Sequence, residues 1–188
     1  CLLEAVRSAA TELQGQAGEG VAMAQARLRP GRIHHCMRTI GQCELALALK
    51  CERTLERQAF GKHLSDFANV QDWIAESRLE INQARLLVLR TAWMLDHRER
   101  KDSRTDVAAI KVVAARLQTR VVDRAMQVFG AIGLSPDTPL AWLWPWGRAI
   151  HLPAGPDQVH LRPLARPRPR PPRHTPGRPT TSATPPTA

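Results

Sequence analysis

Apolar residues recur at steps of three and four along most of this chain, and the stripes they draw predict long helices. The clearest run is Phe67, Val70, Ile74, Ser77, Ile81, Ala84, Val88, Thr91 and Leu95, in which seven of nine positions are apolar. It predicts one helix of about 30 residues, roughly 45 Å long at 1.5 Å per residue. Upstream, Ile33, Met37, Ile40, Cys43 or Glu44, and Leu47 predict a helix from about residue 30 to 59. Pro30 suits its first turn and Gly61 its end. Downstream, Val107, Ile110, Ala114, Leu117, Val121, Ala125 and Val128 predict a third helix, stopping at GAIG, residues 130 to 133. The polar run DHRERKDSR joins the second helix to the third, with Ser103 or Asp102 as N-cap.

Three long antiparallel helices with short links need one more element to close a core. The expected fold class is therefore all-α, an up-down helical bundle. The fourth element should lie between Pro139 and Ala165. Its sequence, WLWPWGRAIHLPAGP, reads as a poor helix because Pro145 and Gly147 interrupt it. Exposed Trp142, Trp144 and Trp146 on a damaged fourth helix would enlarge an apolar patch.

The two ends break the pattern. Residues 1–20 hold few large apolar side chains and finish in GQAGEG, a lead-in; residues 21–160 carry the helical pattern. From Leu161 onward, nine of 28 residues are Pro and six are Arg, with no acid. That composition predicts a disordered tail over 161–188, because it cannot bury enough surface to offset the entropy of ordering. The tail also explains the charge. The net +10 falls to 21 basic against 17 acidic groups once it is set aside, so the body is only mildly basic. Arg among Pro with no stacking aromatic is a low-specificity polyelectrolyte, and no specific nucleic-acid partner is expected. There is no run of 18 apolar residues, so no membrane span is expected, and no targeting segment is visible. The chain opens on Cys rather than Met, which reads as a fragment. Four Cys without a C-x-x-C pair, three of them strung along one helix, predict buried thiols in a reducing compartment.

Several chemistries are excluded early. His34 and His35 are adjacent, hence about 100° apart on a helix, and do not form a metal site; no metal is expected. A di-iron bundle needs Glu-x-x-His on facing helices, and no Glu here is followed three residues later by His. No nucleophile elbow, phosphate loop or dinucleotide fingerprint is present.

Three pieces remain: ERQAFGKHL (56–64) after the first helix, QVFGAIG (127–133) after the third, and AGPDQVH (154–160) beyond the broken fourth. Together they resemble the C-terminal helical domain of acyl-CoA dehydrogenases, and RLRPGRIHHCMR (27–38) looks closest to family members ten and eleven. The resemblance implies a domain that takes part in FAD-dependent α,β-dehydrogenation of acyl-CoA, in mitochondria or peroxisomes, with homo-oligomerisation through the bundle. It implies that Arg57, in the R-x-x-F-G motif, reaches FAD held by a neighbouring subunit. A guanidinium suits this, since it can pair two diphosphate oxygens at once. Phe60 would pack beside the cofactor. Gln127 and Gly130 match the first two fixed residues of a Q-x-x-G-G motif whose second glycine is Ala131 here, and Gly155 matches the glycine of the last motif. A further FAD-contacting glutamine of the family is replaced by Ala68. Arg32 matches an arginine near the bound acyl-CoA.

The family also implies a carboxylate that takes the α-proton. It precedes the glycine of the last motif, where this chain has Ala154, or in some branches the arginine matched by Arg32, where this chain has Gly31. Both places lack the carboxylate. The family's N-terminal and middle domains would precede this sequence, and the Arg/Pro tail replaces a helix, as in a truncated or misjoined product. The alternative expectation is a non-catalytic helical oligomerisation domain.

Overall fold

The computed structural model describes residues 4, 7, 10–97, 104–153 and 155–165. Three long helices dominate it: α1 (Gly20–Glu56), α2 (Ala68–His97) and α3 (Arg104–Phe129). A two-residue hairpin of β1 (Gln58–Ala59) and β2 (Lys62–His63) follows α1. Two shorter helices, α4 (Leu140–Ile150) and α5 (Asp157–Leu164), complete an all-α bundle. Helix α3 is central and packs on α1, α2, α4 and α5.

All seven stripe positions expected on α3 are buried, and the core joins them to Ile40, Cys43 and Leu47 of α1 and Ile81, Ala84 and Val88 of α2. The α1 stripe is rotated from the expected one, since Met37 is exposed while Cys36 and Thr39 are buried. On α2, Met94 is buried in place of Leu95. Burial pushes the Cys36 and Cys43 thiols up to about 12, which leaves them unreactive. Ion pairs lace the surface: Arg78 and Arg85 of α2 meet Glu44 of α1, and Arg120 and Arg124 of α3 meet Glu80 of α2.

Four boundaries depart from the sequence expectation. Helix α1 begins at Gly20, so Pro30 sits inside it rather than in its first turn. Pro30 and Ala26, whose carbonyl loses its partner, are both exposed, so water can serve that carbonyl. Helix α1 also ends before Gly61, at Glu56, with Arg57 in extended conformation. Gly61 instead completes the tight turn of the hairpin, where Phe60 and Gly61 both have positive φ, 52° and 79°. That is the backbone of a primed two-residue turn. Residues 140–150 do form a helix despite Pro145 and Gly147. Leu140 and Leu143 are buried against the core, and Gly147 lets α4 approach α3 so closely that an added Cβ would lie 3.3 Å from Gln118 Cγ. Trp142, Trp144 and Trp146 face outward, as the sequence predicts. Lastly, α5 runs through Leu164, past the expected boundary at 160. The expected N-cap at Asp102 or Ser103 and residues 166–188 of the expected tail lie outside the described residues.

One buried charge carries a prediction. Lys50 is fully buried, and its Nζ donates to the Trp73 carbonyl and Ser77 Oγ, each at 2.8 Å. Burial, reinforced by Arg124, lowers its pKa from 10.5 to about 8. The unfolded chain therefore binds the extra proton between these values, and stability should rise as pH climbs from about 8 towards 10.5. Lys50→Met leaves Ser77 bonded to Trp73 and removes the desolvated charge. It should cost less than about 1 kcal/mol, or stabilise, in urea denaturation at pH 7, and it should abolish the alkaline rise.

Candidate functional site

Arg57 is the residue at which α1 gives way to extended chain, and its carbonyl accepts from the Leu64 backbone N–H at 2.9 Å, closing the loop that carries the hairpin. The end of α3 and the 3-10 turn Gly130–Leu134 lie beside it. Between them is an open groove of about 460 Å³ lined by Arg53, Arg57, Leu64, Val70, Trp73, Gln127, Val128, Phe129, Gly130, Ala131 and Ile132. Arg57, Gln127 and Gly130, far apart in sequence, are thus brought together. No carboxylate is among the lining residues. The Arg53 guanidinium lies 5.6 Å from the centre of the Phe129 ring, and its buried Nε has no hydrogen-bond partner. A groove lined by two guanidiniums and no carboxylate is suited to an anion.

Phe60 is not in that lining. It stands at the tip of the hairpin, 96% exposed, in edge-to-face contact with Phe67 at 6.4 Å between centroids. A bulky residue in the left-handed region costs roughly 1–3 kcal/mol and persists where the surrounding structure requires it.

Arg32 and Gly155 come together elsewhere, in a second groove of about 1070 Å³ between the start of α1, the start of α3 and α5. Val107, Arg104 and His160 also line it. Gly155 has φ +103°, and a Cβ there would lie 3.2 Å from His160 Nε2, so only glycine fits without strain. Arg32 lies in α1 and Arg57 caps its C-terminal end 25 residues on, roughly 37 Å along the axis. The two grooves therefore sit towards opposite ends of the bundle. Ala154, expected at the base position, lies outside the described residues.

A buried network that motif reading missed joins α3 to His151 and Asp157. Lys111 of α3 donates from Nζ to Asp157 Oδ1 at 2.8 Å and to the His151 carbonyl at 2.7 Å. Asp157 Oδ2 accepts from His151 Nδ1, and His151 Nε2 lies 3.2 Å from Thr119 Oγ1. One lysine thus ties both ends of the 151–157 connection to α3. Burial alone would raise the Asp157 pKa, but hydrogen bonds from Lys111 and His151 outweigh it and hold the carboxyl below its ordinary 3.8. Asp157 is committed to this pairing, not poised as a base. A lysine at the stripe edge of α3 was a signal available in the sequence; its partner was not.

Comparison with known proteins agrees with this architecture. The family described as acyl-CoA dehydrogenase, C-terminal domain, matches residues 18–167. The chain belongs to that family. It is 55% identical over 161 residues to the "Probable acyl-CoA dehydrogenase FadE2" of Mycobacterium tuberculosis, covering 86% of this chain and 40% of that protein. Against acyl-CoA dehydrogenase family member 10 of Mus musculus the identity is 50% over 149 residues, 79% of this chain and 14% of the other. The solved butyryl-CoA dehydrogenase of Megasphaera elsdenii superposes with a TM-score of 0.72 at 30% identity, covering 79% of this chain and 38% of that one. The chain thus spans less than half the length of these relatives. Among the described residues no helix is long and apolar enough to cross a membrane, and no cluster of His, Cys, Asp or Glu could hold a metal ion.

Proposed function

We propose that this chain, over residues 21–160, supplies the helical C-terminal part of an FAD-dependent acyl-CoA dehydrogenase. The observation that carries the reading is the meeting of Arg57, Gln127 and Gly130 in one cationic groove. When bound, FAD would supply the acceptor for the hydride leaving the β-carbon of the acyl thioester. Arg57 pairs diphosphate oxygens, Gln127 offers an amide at the same groove, and Gly130 leaves room for the ligand beside the turn. Phe60, on its exposed tip, packs against the cofactor or the subunit that holds it. Arg32 and Gly155 bound the region of the acyl-CoA. The resemblance implies that the FAD at Arg57 belongs to a neighbouring subunit, and the roughly 37 Å between Arg32 and Arg57 along α1 is consistent with that. A homo-oligomer is therefore part of the proposal. In a eukaryotic source the enzyme is mitochondrial or peroxisomal.

A second reading, a non-catalytic helical assembly domain, is favoured by Gly31 and Ala154, which put no carboxylate at either base position. Flavin retention separates the two. The 188-residue chain alone should bind FAD more weakly than about 1 µM, that is, less favourably than about −8 kcal/mol. A chimera in which residues 18–160 replace the matching segment of the M. tuberculosis relative should retain FAD. Arg57→Gln in that chimera should weaken it about 10- to 100-fold, the range for a hydrogen bond to a charged group. Unchanged retention in Arg57→Gln would remove the basis for the cofactor reading.

A further inference from the structure

Arg53 in the last turn of α1 and Arg57, its C-cap four residues on, both line the same groove. Like charges at this spacing repel. One explanation is the helix dipole, since both arginines sit near the C-terminal end of α1, where cations are favourable. That explanation suits an exposed charge close to free carbonyls. It does not suit Arg53, which is half-buried, with Nε enclosed and unpartnered, and with its guanidinium over the Phe129 ring. A donor desolvated and left unsatisfied costs more than it would in water. A ring face beneath a guanidinium fixes its plane and leaves its N–H edge available for an acceptor. The groove beside it holds no carboxylate to be that acceptor.

We infer that Arg53 is the second guanidinium of a paired-arginine site, and that Arg53 and Arg57 together bind the diphosphate of an adenine nucleotide. The inference rests on the cofactor reading of this groove and extends it to a residue outside the R-x-x-F-G motif. Two guanidiniums suit a diphosphate because its two phosphoryl groups present separate sets of oxygens, each able to take a forked pair of N–H bonds. Trp73 and Phe129 give the site apolar walls, and Gln127 supplies a neutral polar group to the same lining. Residue 68, where the resemblance would place an amide, is an exposed alanine outside the groove, so the guanidinium and amide donors of this groove are those of Arg53, Arg57 and Gln127.

The test is calorimetric titration of the full chain with ADP, AMP and inorganic pyrophosphate at low salt, followed by the variants Arg53→Gln, Arg53→Lys and Arg57→Gln. ADP should bind and pyrophosphate should compete with it, while AMP, with one phosphoryl group, should bind at least about 10-fold more weakly than ADP. Arg53→Gln and Arg57→Gln should each weaken ADP about 10-fold or more. Arg53→Lys keeps the charge and loses the fork, and it should fall between wild type and Arg53→Gln. That variant also serves if circular dichroism shows Arg53→Gln to be misfolded. If Arg57→Gln weakens ADP and both Arg53 variants bind as wild type does, the inference about Arg53 is wrong and the cofactor reading survives. If none of the three changes ADP binding, or the wild-type chain shows no heat with ADP up to about 20 mM, the paired site does not exist, and flavin retention in the chimera alone decides the cofactor reading.

Discussion

Lys111→Met is expected to destabilise the chain by about 3–5 kcal/mol, the cost of removing one partner from a buried ion pair. The Lys111 side chain is 5% exposed and that of Asp157 is 11%. Without the ammonium, the Asp157 carboxylate stays buried with His151 as its remaining partner, and the His151 carbonyl loses its acceptor role. Total stabilities of about 5–15 kcal/mol make this a large fraction. Urea denaturation should show the loss, and amide exchange should localise it to α5 and the 151–157 connection. Lys111→Met with Asp157→Leu should recover much of it, because no charge is then left uncompensated. A single-variant loss below about 1 kcal/mol would mean that the network is not what holds α5. The pH dependence has a definite sign. Since folding lowers the Asp157 pKa, its contribution is complete above the ordinary value of 3.8 and is lost as pH falls through the lower folded value. Wild type should therefore lose α5 protection in acid below 3.8, and Lys111→Met should show much less of this acid-specific loss.

The second large effect concerns position 154. In the chimera with the M. tuberculosis relative, dehydrogenation of acyl-CoA with an artificial electron acceptor should be very slow, because neither Ala154 nor Gly31 can accept a proton. Ala154→Asp should raise it by about 10²-fold or more, the usual worth of a positioned general base. Gly31→Glu should rescue less. The network just described bears on the same experiment. Residue 154 sits in a connection whose two ends, His151 and Asp157, are both hydrogen-bonded to Lys111. Adding Lys111→Met to Ala154→Asp should lower kcat more than it raises the KM for acyl-CoA, as expected when a reacting group is misplaced while binding groups stay. A chimera that already turns over at the relative's rate, or an Ala154→Asp variant that binds FAD and acyl-CoA and gains nothing, would place the base elsewhere.

The bundle itself was readable from the chain. A stripe at three- and four-residue steps faces one way on a helix whatever it packs against, so the extents of α2 and α3 and most of the α2 core followed from periodicity. Half of the buried α3 positions, among them Lys111, Ala115 and Gln118, lie beside the expected stripe because α3 is packed on several sides. The identity of Arg57, Gln127 and Gly130 as candidates also lay in short motifs. Their meeting in one groove did not, because it depends on how the ends of α1 and α3 are packed. Other features were decided only by contacts between elements. Local propensity counted Pro145 and Gly147 against a helix, but buried Leu140 and Leu143, and the close approach that Gly147 allows, outweigh one missing hydrogen bond. Gly61 read as a helix stop, yet it serves a hairpin turn whose other central residue is Phe60. Arg53 could have been noticed one turn before Arg57, since residues four apart share a helix face. That its Nε is enclosed without a partner is a property of the packed groove. Asp157 and Lys111 are 46 positions apart, and no periodicity pairs a helical lysine with an aspartate beyond a loop. Periodicity records which face of a helix is buried; which polar groups meet inside is set by long-range packing, where desolvation makes each such contact count.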